Sequence, residues 1–375
     1  MARPLKPTFD QEEVKNFIRP MAGGALRMMS QQPTGEIGIS MIGTSEAEHL
    51  LNVLDAEPFV LQLAHASEPP SFTTEGEEPF ISLMPDPTLR ELGRVWKNLQ
   101  TTLHHRLQAS EEPINNLTPR LMTFYQAFAP MMEVYADQVI GDPSRSPMDG
   151  IFIQYLERSL NTGFYEFRNA VHHPDTKKEV KRLQSRVNHN RQNQLKYLGS
   201  LLERYGTLFA VHLDVGYQYK NDYRFMGSIT YERAKRDFSN FMQERRHNPL
   251  WKDDLAGFIW KLEDGFERRY HYQLILIYKG ESANCHLDDK GVLQERWIKE
   301  TTGGDGACYQ AWGDAEQTPL GAEPEGIVDS KNSPNYLALT RFIDYLNKLD
   351  LIINLNVPKG ANVYGRGHAP RKIKH

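Results

Sequence analysis

Hydrophobic residues follow two different spacings along this chain of 375 residues. Between about residues 87 and 204 they recur every three or four positions, as on the buried stripe of an amphipathic helix. This spacing predicts helices at about 89–103, 117–139, 152–167 and 184–205. We therefore expect a helical region over 88–204.

After Gly206 the spacing changes to short apolar runs bounded by turn residues, which is typical of strands. The pattern predicts strands at 208–215, 255–263, 270–279 and 307–312, and helices at 230–246, 288–300 and 335–354. The order β-α-β-β-α-β predicts an α+β domain over 205–375. Its antiparallel sheet of four to five strands would carry two helices on one face.

Residues 1–87 show neither spacing and are rich in Pro, Gly, Ser, Thr and Glu. We expect this region to be largely irregular, with one short helix at 45–54. It is also acidic, because residues 36–91 contain 11 acidic residues and one basic residue.

The overall net charge of −4 conceals a basic C-terminal half. Residues 176–196 contain seven basic residues and one acidic residue, and residues 359–375 contain five basic residues and no acidic one. Basic segments of this density can neutralise phosphates, although a solvated helix face and a frayed terminus would have the same composition. The candidate nucleic-acid contacts in the first segment are Lys177, Lys178, Lys181, Arg182 and Arg186.

The cysteine content and the hydropathy pattern predict a cytoplasmic protein without a membrane partner. Cys285 and Cys308 are the only two cysteines, which gives no disulfide framework, and their wide spacing excludes a zinc ribbon. No apolar run approaches the roughly 20 residues needed to span a bilayer. The N-terminus has no apolar stretch after its basic residues, so we do not expect a secretory signal.

The third predicted strand contains two potential metal ligands. Because side chains alternate along a strand, His271 and Gln273 lie on the same face of the sheet. Glu263, at the end of the preceding strand, could supply a charged oxygen, and Asp214 on the first strand is a second candidate, with His212 two residues before it. Such nitrogen and oxygen donors suit Mg²⁺ or Mn²⁺, while the alternative is a set of ordinary polar residues on a sheet face.

The last predicted helix contains a potential nucleophile. Tyr345 and Lys348 are three residues apart and project from one helix face, and Arg341 lies one turn earlier on that side. A tyrosine hydroxyl near cations can attack a phosphodiester, because the cations stabilise the developing charge. Tyr-x-x-Lys also occurs on helices by chance.

These motifs together resemble those of HUH endonucleases, the rolling-circle replication initiators and relaxases. The shared order is a Glu, a strand with His-hydrophobe-His or His-hydrophobe-Gln, and a helix with Tyr-x-x-Lys. Residues 208–366 resemble more specifically the YagK/YfjJ C-terminal domain family of prophage and inovirus replication-associated proteins. The stretches that carry this resemblance are 209–217, 260–265, 269–276, 345–348 and 364–367, the last of which includes Arg366.

The resemblance implies an RRM/ferredoxin-like, HUH-type fold and a role for each motif. Tyr345 would form a 5′-phosphotyrosine link with single-stranded or hairpin DNA and leave a free 3′-OH. His271, Gln273 and either Glu263 or Asp214 would bind Mg²⁺ or Mn²⁺, and Lys348 would position the metal or stabilise charge. Host replication proteins are a further partner class that the resemblance implies. Gln273 departs from the commoner pattern, which has a second histidine there.

Two other functions fit the same sequence. A non-catalytic nucleic-acid-binding or regulatory protein could keep the sheet, with Tyr270 and Tyr272 stacking bases on an open face. A primase-like enzyme would use a related sheet, but it usually needs two alternating acidic residues on one strand. Asp214 is followed by Val215 and Gly216, so the sequence disfavours the primase.

Overall fold

The structure, a computed structural model, describes most of the chain. The described residues are 12, 15, 25–32, 34–43, 46–75, 82–85, 87–107, 117–140, 150–218, 228–243, 251, 254–265, 268–280, 286–310, 324–351, 353, 355, 357–358 and 360–368. Cys285 and much of the basic segment predicted at 359–375 lie outside these residues.

The N-terminal half is mostly helical, with two short hairpins. Its elements are β1 (Ala25–Gln31), β2 (Ile37–Gly43), α1 (Glu46–His65), β3 (Phe72–Glu75), β4 (Ser82–Pro85), α2 (Pro87–Leu107), α3 (Pro119–Ile140), α4 (Gly150–His172) and α5 (Pro174–Tyr205). Helices α1 to α4 share one apolar core, in which Val60, Trp96, Phe124 and Phe167 are fully or almost fully buried.

This arrangement differs from the irregular region that we expected over 1–87. Helix α1 continues 11 residues beyond the predicted end at residue 54, through Pro58, because Phe59, Val60, Leu63 and Ala64 are buried in the helical core. The β1–β2 hairpin joins the sheet of the C-terminal half by pairing with strand β8 (Gly306–Gln310). Tertiary packing therefore outweighs the loop-like composition of this segment.

The C-terminal half alternates strands and helices. Its remaining elements are β5 (Leu208–Tyr217), α6 (Tyr231–Gln243), β6 (Leu255–Gly265), β7 (Arg269–Lys279), α7 (His286–Arg296) with a π-helical turn (Trp297–Thr301), β9 (Gly326–Val328), α8 (Pro334–Leu349) and β10 (Tyr364–Arg366). The α+β class predicted from the sequence is confirmed.

One antiparallel sheet of eight strands runs through the described residues, so it is wider than the four to five strands that we expected. The strand order is β10-β6-β7-β5-β8-β1-β2, and β9 also pairs with the first residues of β5. The additional width comes from the β1–β2 hairpin at one edge and from the three-residue strands β9 and β10.

The two faces of the sheet pack against different helices. Helices α6 and α7 cover one face, where Phe238 and Leu293 share an apolar core with the odd-numbered apolar residues of β5. Helices α5 and α8 lie on the other face, where Leu201 and Leu339 pack with Ala210. Among the described residues, no helix combines the length and the hydropathy needed to cross a membrane.

Candidate active site

The four predicted metal ligands lie together on the sheet face that α5 and α8 share. Glu263 on β6 is directly opposite His271 on β7, and Asp214 on β5 is directly opposite Gln273 on β7. Directly opposed residues project to the same side of a sheet. All four side chains are buried or half-buried.

These side chains form a connected hydrogen-bond cluster. His271 Nε2 lies 3.1 Å from Glu263 Oε2. The amide nitrogen of Gln273 donates to Asp214 Oδ2 at 3.0 Å and to Glu263 Oε2 at 3.4 Å. Asp214 Oδ1 and Glu263 Oε1 are buried, and neither has a hydrogen-bond partner among the residues that the structure describes. Because buried oxygens usually have partners, these two are candidate ligand atoms.

The backbone around His271 fixes its ring as a metal ligand requires. Its Nδ1–H donates to the carbonyl of Arg269 at 2.9 Å, which leaves Nε2 directed into the cluster. Arg269 has a φ of 56°, a left-handed conformation that is uncommon for residues other than glycine. On the neighbouring strand, a Cβ added to Gly216 would lie 2.8 Å from His271 Cβ, so a side chain there would displace the histidine.

Sequence reasoning missed Arg268, which is part of this cluster. Its guanidinium donates to Asp214 Oδ2 at 2.8 Å and lies 3.1 Å from His271 Nε2. It also lies over the Tyr309 ring, 4.9 Å from the centroid. Its place between the predicted strands 255–263 and 270–279 gave no indication of where the side chain would point.

His212, which we noted only for sharing a face with Asp214, orients Gln273. Its Nε2 lies 2.7 Å from Gln273 Oε1, and the Gln273 amide nitrogen faces both carboxylates. The amide oxygen of Gln273 therefore accepts a hydrogen bond from His212. It would have to turn toward Asp214 and Glu263 to serve as a metal ligand.

Opposite charges dominate the electrostatics of the cluster. Burial by itself raises the pKa of Asp214, but Arg268 and His271 outweigh it and hold that pKa below its ordinary value. Burial likewise raises the pKa of Glu263, and the hydrogen bond and charge of His271 bring it below its ordinary value. For His271, burial and Arg268 lower the pKa, yet the two carboxylates raise it above its ordinary value.

The donor set fits a hard divalent cation. Two carboxylates, an imidazole nitrogen and an amide oxygen suit Mg²⁺ or Mn²⁺, and the two unpartnered carboxylate oxygens add unused ligand capacity. In the arrangement present, however, no three His, Cys, Asp or Glu side chains of the described residues converge as a metal-binding group. Binding would therefore require the Arg268 and Gln273 side chains to move.

Tyr345 lies on the helix that packs against the face of the metal-ligand candidates. Its ring is 6.4 Å from that of Phe342, whose ring is 4.7 Å from that of His212. The half-buried Tyr345 also packs against the apolar core of α1 to α4. Lys348 is half-buried, whereas Arg341 is exposed.

The C-terminal end of α8 is fixed to the sheet beside the cluster. The ammonium of Lys261, a residue directly opposite Gln273, donates to the Leu346 carbonyl and lies 2.7 Å from Asp350 Oδ1. On the opposite flank of α8, Arg191 of α5 forms a two-bond salt bridge with Asp344, at 2.5 and 2.9 Å. The turn that contains Tyr345 is therefore held in place by α5 and β6.

The predicted basic face of α5 is solvent-exposed. Its five basic residues all lie on the N-terminal half of that helix, outside the part that packs on the sheet. These residues are Lys177, Lys178, Lys181, Arg182 and Arg186. Arg366 on β10 is also exposed, and its guanidinium lies 4.9 Å from the centre of the Tyr197 ring.

Tyr270 and Tyr272 do not lie on an open face, so the expectation that they stack bases there was wrong. The alternation that directs His271 and Gln273 to one face directs these tyrosines to the other, beneath α6. Tyr272 stacks on Phe238 with ring centroids 3.8 Å apart, and Tyr270 packs edge-on against Tyr231. Both are at most 3% exposed and belong to the core.

Comparison of the chain with protein-family models, with curated proteins and with solved structures gave no match. The resemblance to HUH endonucleases therefore stays a prediction that rests on the motifs and on the geometry described above.

Proposed function

We propose that residues 205–375 form a metal-dependent, HUH-type domain that nicks and joins single-stranded DNA, as in phage or satellite-element replication proteins. The main support is that Asp214, Glu263, His271 and Gln273, which come from three strands, form one cluster on the sheet face against which the Tyr345 helix packs.

The strand order adds support for this fold. Strands β6, β7, β5 and β8 are neighbours in that order, and α6 and α7 pack on the face away from the cluster. This is the arrangement expected of a β-α-β-β-α-β unit of the RRM/ferredoxin-like kind. The remaining face then holds the candidate ligands and α8.

In the proposed reaction, the Tyr345 hydroxyl attacks the phosphorus of a DNA phosphodiester. The tyrosine O–P bond forms and the P–O3′ bond breaks, while the phenol gives up its proton and the leaving 3′ oxygen gains one. The product is a 5′-phosphotyrosine link and a free 3′-OH, which can later reverse the step to join DNA. A divalent ion held by His271 Nε2 and the carboxylates would polarise the phosphate. Lys348 would stabilise negative charge on it.

A second candidate function is DNA binding without cleavage, and two observations favour it. The Arg268 guanidinium lies among the candidate ligands, and the Tyr345 ring packs against two apolar cores. In that function, the exposed basic face of α5 would bind the DNA backbone.

A covalent-adduct assay separates the two functions. The full chain is incubated with single-stranded and hairpin DNA labelled at either the 5′ or the 3′ end, with and without Mn²⁺. Nicking predicts a denaturation-resistant adduct that retains the 3′ label, requires metal and disappears in Tyr345→Phe. Tyr336→Phe removes a hydroxyl from the same helix and should retain the adduct. If neither label is retained while DNA binding persists, the binding function is favoured.

A further inference from the structure

Arg268 occupies the place that a metal ion would take in the candidate site. Its two terminal nitrogens contact Asp214 Oδ2 and His271 Nε2, and both atoms are candidate metal donors. A metal ion bound to both of these atoms would need the space that the guanidinium occupies, so the two cannot be there at once. The side chain is about nine-tenths buried, so this contact is enclosed in the cluster.

The neighbouring cation on the same face has a different role. Lys261 is directed to Asp350 and to the Leu346 carbonyl, and thus to the end of α8. Among the described residues of this cluster, Arg268 is therefore the basic side chain that contacts the candidate ligand atoms. It brings a positive charge to a group of two buried carboxylates.

We infer that Arg268 is a built-in competitor of the divalent cation and sets the metal affinity of the site. This inference rests on the proposed function, because it takes the cluster to be a metal site. The Arg268 guanidinium and a divalent ion cannot occupy the same position beside Asp214 and His271. Their like charges also repel strongly at short range in a buried site. Arg268 must therefore leave the cluster before the metal enters.

Mn²⁺ binding to the full chain tests the inference without any reaction. Isothermal titration calorimetry, at one fixed pH near neutrality, would compare the wild-type protein with Arg268→Gln and Arg268→Lys. We expect Arg268→Gln to bind Mn²⁺ on the order of tenfold more tightly or better, because the competing charge is gone. Arg268→Lys should fall between the two, since it keeps the charge but offers one nitrogen.

Two further variants locate the effect. Adding Glu263→Gln to Arg268→Gln should abolish the gain, because it removes a ligand of the cluster. Arg191→Gln breaks a salt bridge on α8 outside the cluster and should leave Mn²⁺ affinity at the wild-type value. Circular dichroism and thermal unfolding establish whether each variant is folded. If Arg268→Gln does not fold, the Mn²⁺ affinity of Arg268→Lys relative to the wild-type protein tests the inference.

Unchanged or weaker Mn²⁺ binding in folded Arg268→Gln would overturn the inference and make Arg268 a structural partner of Asp214. If the wild-type protein then still forms the Tyr345 adduct, the nicking proposal stands without this inference. Tighter Mn²⁺ binding with no adduct in any variant would support the competitor and refute the nicking. Absence of Mn²⁺ binding in every variant would overturn both.

Discussion

Lys261 Nζ lies 2.7 Å from Asp350 Oδ1, and both side chains are less than a tenth exposed. This buried salt bridge joins β6 to Asp350, which follows α8 and lies five residues after Tyr345. Glu263, a candidate metal ligand, is two residues after Lys261 on β6 and projects from the same face. The salt bridge therefore fixes the helix of Tyr345, the proposed nucleophile, relative to the candidate metal site.

Breaking this salt bridge should be costly. Lys261→Met leaves the Asp350 charge buried without its partner, so we expect the free energy of unfolding to fall by about 3–5 kcal/mol. The double variant Lys261→Met/Asp350→Leu should recover most of that loss. Lys331→Met breaks an exposed pair with Glu203 and should change stability by less than about 1 kcal/mol. Urea unfolding measures all three, and equal losses for the Lys261 and Lys331 variants would contradict the account.

Gly216 should tolerate no side chain, because an added Cβ would lie 2.8 Å from His271 Cβ. We expect Gly216→Ala to lower the free energy of unfolding by about 1–3 kcal/mol and to shift the His271 ring in NMR spectra. Gly199 of α5 is the matched control, since no atom of the described part of the chain lies within 4 Å of its added Cβ. Gly199→Ala should stabilise the helix by about 0.5–1 kcal/mol. A Gly216→Ala variant with the same free energy of unfolding as the wild-type protein would refute the close contact.

Alkaline pH should destabilise the fold through two tyrosines. Burial, followed by the charge of Asp237, raises the pKa of Tyr217 well above its ordinary value, and burial also raises the pKa of Tyr272. Both stay neutral in the folded protein, whereas an unfolded tyrosine ionises near pH 10. Their contribution to the free energy of unfolding is therefore complete below about pH 10. As pH rises further, the free energy of unfolding falls by up to about 1.4 kcal/mol per pH unit for each tyrosine.

Urea unfolding between pH 8 and pH 11 measures this dependence. Tyr217→Phe cannot ionise, so its stability should fall less steeply above pH 10 than that of the wild-type protein. The substitution also removes the 2.9 Å hydrogen bond to Asp237 and should lower stability at pH 8. If the free energy of unfolding falls equally steeply with pH in both proteins above pH 10, Tyr217 does not contribute to the alkaline loss of stability.

The exposed basic face of α5 should bind DNA mainly through phosphates. Replacing Lys177, Lys181 and Arg182 by alanine should weaken binding of single strands and reduce the salt dependence of log K by about 0.7 for each lost phosphate contact. Fluorescence anisotropy over a salt series measures both effects. The control replaces Lys235, Arg236 and Lys299, which are exposed beside the opposite sheet face. An equal effect of both triple variants would show that binding follows net charge and not the α5 surface.

Local patterns predicted the central elements of the C-terminal half well. The predicted strand 208–215 is observed as Leu208–Tyr217, and the predicted helix 335–354 as Pro334–Leu349. The strand is a short apolar run buried on both faces, and the helix buries one periodic face, so hydrophobic spacing alone indicates both. The β1–β2 hairpin was missed because it contains methionine, glycine and serine, and the existing edge of β8 supplies its pairing.

The candidate site was predictable only in part. Alternation along β7 places His271 and Gln273 on one face, and the same rule should have directed Tyr270 and Tyr272 to the other. The contact of Arg268 with Asp214 joins residues 54 positions apart and depends on the register of the strands. Likewise, the packing of Tyr345 against the helical core depends on where α1 to α4 lie. Neither relationship has a local sequence signal.

Mapping the covalent adduct tests the central proposal most directly. Trypsin cleaves after Arg341 and after Lys348, so it should release residues 342–348 as one peptide in which Tyr345 is the sole tyrosine. After reaction with DNA and Mn²⁺ and digestion with nuclease, we predict that mass spectrometry finds a nucleotide phosphate on Tyr345 of that peptide. A nucleotide on another residue, or an unmodified peptide from protein that binds DNA, would contradict the assignment of Tyr345 as the nucleophile.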